Sequence, residues 1–153
     1  MTIELFRQLI REELSLISKD KEWDFYNYEM PIQEDQFVHF TPEDRAKEII
    51  KSGKLLMRPP YKKFGIDAVA AISTVWGAPV PAVQSDHIDG NLVAILFKTA
   101  TIPEYGRTDE VIWEQDVDLI NPKIISVSAA MKMLKAASLK LPAGRDLEVK
   151  YTR

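Results

Sequence analysis

Cysteine is absent from the 153 residues of this chain, and histidine occurs only twice. Without a thiol there is no disulfide scaffold, no cysteine-held zinc or iron–sulfur cluster and no cysteine nucleophile. Two histidines cannot form a three-histidine metal site without carboxylate help. The six glycines are scattered. They form no GxxxxGKS/T, GxGxxG or GxSxG, which removes two phosphate cradles and the serine nucleophile elbow. Long hydrophobic runs are missing as well. The longest cover residues 68–72 and 92–97, against the roughly 20 residues a membrane-spanning helix needs. The opening stretch MTIELFRQLIREEL mixes acids with bases and lacks the apolar centre of a signal peptide. Nor is there an excess of positive charge: 20 basic against 23 acidic residues leave −3, which disfavours sequence-blind contact with nucleic acid phosphates. The expectation is a cytoplasmic protein with neither a membrane nor a nucleic acid as partner.

What is present describes an ordinary globular chain, 46% hydrophobic and 28% charged, of a length that suits one domain with its own core. Ile3, Phe6, Leu9, Ile10, Leu14 and Ile17 recur at spacings of three and four, which predicts a helix over 3–19 with one face on the core. Residues 20–34 read as irregular, with Trp23, Phe25, Tyr26 and Tyr28 clustered. Residues 1–35 are thus an extension ahead of a core over 36–153. A strand is expected over 37–40. Thr41 then reads as a helix N-cap, with Pro42 at the first helical position, Glu43 and Asp44 in the first turn and Gly53 as C-cap. A short extended piece (54–57), a basic proline loop (58–65), a buried strand (66–75) and a long loop (77–90) follow. Further strands are expected over 92–97 and 110–114, with a loop over 99–108. Pro122 and Lys123 separate the latter strand from 124–127, Ser128 caps a helix to about residue 139, and 148–152 adds an edge strand. Helices at both ends around a run of strands make an α+β layout.

Asp86, His87 and Asp89 lie close together, and His39 would complete a two-histidine–carboxylate set for a small metal-dependent enzyme. Asp89-Gly90-Asn91 is equally a turn signal ahead of a strand, and no metal is expected. The better-defined constellation is His39-Phe40-Thr41 ahead of the capped helix. A histidine at a strand end can present a hydrogen-bonding group to a cleft, or be a satisfied, half-buried residue.

The segment FVHFTPEDRAKEIIKSGKLL, residues 37–56, resembles the opening of the ADP-ribosyltransferase fold: a strand bearing His-x-Thr, a helix, then a glycine–leucine-like turn. Residues 65–74, GIDAVAAIST, resemble that family's middle strand ending in a small hydroxyl residue. Residues 109–117, DEVIWEQDV, resemble its late strand bearing the acid. The resemblance implies a compact split sheet, mixed or antiparallel, with flanking helices, and NAD as substrate without a metal. It implies that His39 bonds the nicotinamide ribose, that the Phe40 backbone meets the carboxamide, and that Thr41 assists. Ser73 would lie under the nicotinamide, with Trp76 or Tyr61 as stacking ring. Arg58, with Lys62 and Lys63, would contact the pyrophosphate, unless these residues form only a solvated basic loop. Glu110 would be the catalytic acid and Glu114 the runner-up. The implied activity is ADP-ribosyl transfer to a macromolecule, as in a toxin or effector, or NAD glycohydrolysis. The competing implication is a non-catalytic binding or structural protein of the same fold, such as a phage-encoded one.

Overall fold

The computed structural model describes residues 2–7, 25–57, 68–77, 91–107, 110–140 and 146–153. A helical piece, α1 (residues 3–7), comes first. Next are β1 (Phe25–Pro31), a 3-10 turn (Ile32–Glu34), β2 (Phe37–Pro42), α2 (Glu43–Ser52) and β3 (Lys54–Leu55). After these come β4 (Val69–Ser73), β5 (Leu92–Lys98), β6 (Tyr105–Gly106), β7 (Val111–Trp113) and β8 (Val117–Asp118). The chain continues with β9 (Ile120–Ser126), α3 (Val127–Ser138) and β10 (Asp146–Thr152). The fold is α+β, mostly strand.

Six strands form an open antiparallel sheet in the order β6-β7-β4-β2-β5-β9. Its central strands carry apolar side chains on both faces because both faces are covered. One face holds the larger core: Phe37, Ile95, Phe97, Val111 and Trp113 meet Ala46 and Ile49 of α2 and Val149 and Tyr151 of β10. Phe37 is its hub, with ring centroids 5.0 Å from Trp113, 5.6 Å from Tyr151 and 5.8 Å from Phe97. The other face holds a smaller core, in which Val38, Ile72 and Ala94 meet Ala130 and Leu134 of α3. Helix α1 packs on the larger core as its spacing implies: Phe6 lies edge-on to Tyr28 and Trp76, and Arg7 Nη2 donates to Thr74 O at 3.3 Å. The remainder of the expected helix lies outside the described residues.

Several local expectations change. Residues 25–31 form a strand, β1, rather than irregular chain; its partner is the distant β10, to which it runs parallel. β10 is not a sheet edge, because Glu148 also bridges to Arg107 beyond β6. Thr41 is a buried strand residue, and the helix is entered from Pro42 with no side-chain cap. β9 continues through Pro122 with a register shift against β5 at residues 121–122: it is the sheet's outermost strand, and a missing N–H is tolerated at such an edge or bulge.

Helix α3 is capped by Ser126, two residues ahead of the expected Ser128; its hydroxyl accepts from Ala129 N–H at 3.1 Å. Ser126→Ala is expected to lower stability by about 1 kcal/mol in urea unfolding. An unchanged midpoint would show that the cap contributes nothing. Among the described residues, no helix is long and apolar enough to cross a membrane.

Candidate functional site

The three segments behind the resemblance lie on consecutive neighbours: β7 beside β4, and β4 beside β2. The last pair is short. Phe37 pairs with Ser73 and Val38 with Ile72, and there the ladder ends. Beyond it the strands part, while β2 stays paired with β5 through Pro42.

His39 stands at this parting. Thr74 N–H donates to Gln36 O at 2.8 Å. Antiparallel alternation then turns the backbone groups of Gln36, Val38 and Phe40 toward β4, and those of the residues between toward β5. In a continued ladder, Ala70 O would receive the Phe40 N–H. It lies instead 2.7 Å from His39 Nδ1. A carbonyl only accepts, so Nδ1 carries a proton and the neutral ring has Nε2 as its lone-pair nitrogen. The imidazole thus occupies the place of a rung. The Phe40 N–H and C=O face β4 just beyond the last residue pair of the β2–β4 ladder.

The proposed acids lie further along. Val111 and Trp113 point into the larger core, and Ile112 pairs with Ala70 on the opposite face. The β6–β7 hairpin extends to Arg107 N–H donating to Glu110 O at 2.8 Å. Alternation therefore puts Glu110 on the Ile112 face. His39 is registered against Ile95 on the other face, and its ring turns into the plane of the sheet to reach Ala70. Glu114 is exposed at the bend after β7, where its N–H donates to Glu104 Oε2 at 2.6 Å.

Ser73 and Trp76 belong to the core. Neither has accessible surface, so neither touches a ligand in this conformation. The Ser73 hydroxyl donates to Asp35 Oδ2 at 2.6 Å and accepts from the N–H groups of Val75 and Trp76 at 3.1 and 3.2 Å. Asp35 also receives the Tyr151 hydroxyl at 2.7 Å on Oδ2 and Gln36 N–H at 2.7 Å on Oδ1. Burial pushes the Asp35 carboxyl up from 3.8 to about 6, and burial with the Asp35 charge pushes the Tyr151 phenol well above its ordinary range. This carboxylate joins the 3-10 turn, the end of β4 and β10. Nothing in the run Glu34-Asp35-Gln36 distinguishes it from a solvated loop.

Arg58, Tyr61, Lys62, Lys63, Asp86, His87 and Asp89 lie outside the described residues. Among those described, no group of three or more histidines and carboxylates is placed to hold a metal ion. The arrangement brings one backbone N–H, one backbone C=O and an oriented imidazole together where the β2–β4 ladder ends. No family model, no curated protein and no solved structure matches the chain.

Proposed function

We propose that the chain binds NAD at the parting of β2 and β4 and breaks its nicotinamide–ribose bond. The observation that carries this reading is the Phe40 backbone. A carboxamide has one acceptor oxygen and a donor NH₂, and a strand residue released from its ladder offers the complementary N–H and C=O side by side. Close by, the imidazole of His39 supplies a hydrogen bond for a ribose hydroxyl. Strand order adds support, since it makes neighbours of the segments that resemble the ADP-ribosyltransferase motifs. In the proposed reaction the C1′–N bond breaks and its electron pair leaves with nicotinamide. Positive charge develops on the ribose. A carboxylate, Glu110 first and Glu114 second, stabilises that charge more than it stabilises neutral substrate. Water or a macromolecular nucleophile then bonds to C1′ and loses its proton to solvent.

One observation favours the second reading, a non-catalytic binding protein of the same fold: the register sets Glu110 and His39 on opposite faces of the sheet. Titration calorimetry with NAD and an assay of nicotinamide release separate the two. For the enzyme, NAD binds, nicotinamide appears, and Glu110→Gln abolishes release by about a hundredfold or more while leaving binding and the circular dichroism spectrum intact. Loss on Glu114→Gln alone moves the role to that residue. Binding without release supports the second reading, and no binding ends the enzyme reading.

A further inference from the structure

We infer that the outer face of α3, together with Lys123 of β9, is a docking surface for an anionic lipid bilayer. Helix α3 turns Ala130, Leu134 and Ala137 inward. On the opposite side Ser128, Lys132, Lys135 and Leu139 recur at helical spacing and form one exposed stripe. Leu139 is 74% exposed, the highest value among the described large hydrophobic residues, and Met131 and Met133 flank the stripe at 37% and 36%. Lys123 lies two residues before Ile125, which packs into the core beneath α3, so alternation brings this lysine to the same side of the sheet. Lys140 follows the helix and is exposed.

The charge pattern selects the occupant. Between Leu119 and Lys140 there are four lysines and no Asp or Glu, so the remaining 16 basic residues stand against all 23 acids. An anionic partner matches this face, and the net negative charge of the remainder favours approach by this side. The apolar component is aliphatic: Met131, Met133 and Leu139. The stretch has no arginine to fork onto phosphate and no aromatic ring to stack on a base. Lysine heads around exposed aliphatic side chains are the composition of a helix lying in a headgroup layer. The expectation of no membrane partner came from missing spans and does not extend to a surface contact of this kind.

The test is co-sedimentation of the full chain with phosphatidylcholine vesicles, with and without phosphatidylserine, at low and high salt. Binding is expected only with phosphatidylserine and is lost at high salt. Lys132→Gln with Lys135→Gln is expected to weaken it about 25-fold, roughly fivefold per lysine. Leu139→Ser weakens it further, and all three positions are exposed, so the fold is retained. Equal binding to neutral vesicles, no binding to either, or binding to a single-stranded oligonucleotide in place of vesicles overturns the proposal.

Discussion

Replacing Gly77 by alanine is expected to cost roughly 4 kcal/mol, enough to unfold a protein of ordinary stability or bring it close to unfolding. Two effects add. Gly77 has φ +70, in the left-handed region, where a Cβ crowds the backbone at a cost of about 1–2 kcal/mol. The added carbon would also lie within 3 Å of α3, near the Leu134 carbonyl oxygen, the Ser138 nitrogen and the Ala137 Cβ. Two of those atoms are backbone, so no rotamer change relieves the contact, and overpacking of this kind costs about 1–3 kcal/mol. The turn after β4 would have to lift off the helix, taking Trp76 with it. Thermal unfolding measures the loss. A variant within about 1 kcal/mol of the parent would mean that the turn and helix separate readily.

The second large effect is a dependence of stability on pH. The folded chain holds the Asp35 carboxyl at about 6 against an ordinary 3.8, because burial disfavours the charge more than its hydrogen bonds favour it. The folded state therefore keeps this proton to a higher pH than the unfolded chain does. The associated stability is complete below the ordinary value and is lost as pH rises through about 6. The gap between 3.8 and about 6 corresponds to ~3 kcal/mol. Asp35→Asn cannot titrate, so its urea-unfolding free energies should lack this fall between about pH 4 and pH 7. A variant that keeps the parent's slope would assign the dependence to another group.

Local chemistry explains what was legible in the sequence. The strand–helix–glycine unit over 37–53 was readable because each signal acts within a few residues: acids in a first turn, apolar spacing, and a glycine at φ +73 to end the helix. The displaced cap lies two residues from the expected one, because the path of β9 decides where the helix begins. β1 was not readable because its partner is more than a hundred residues away, and a short aromatic stretch carries no signature of a distant pairing. The site was readable only in outline. His39 stands out by type and context. That its ring bonds the Ala70 carbonyl depends on where β2 and β4 diverge, which is set by packing on both sheet faces. Ser73 and Trp76 look like ligand contacts in a linear motif, yet Asp35 takes the Ser73 hydroxyl and Phe6 and Tyr28 pack on the Trp76 ring, which places both in the core.

The clasp of β1 and β10 has a consequence in time as well as space. Every rung from Phe25–Asp146 to Pro31–Thr152 closes nearly the whole intervening chain as one loop. Such contacts recover their entropy cost late, and parallel pairing lacks a hairpin to nucleate it. β1 therefore waits, with its backbone groups in water, until residues near 150 have been synthesised and the central sheet offers β6 as a seat for β10. The Tyr151–Asp35 bond can form only at that point. Completion of the buried network becomes a marker of the final folding step, and the waiting strand is the segment most open to pairing with a neighbouring chain during synthesis.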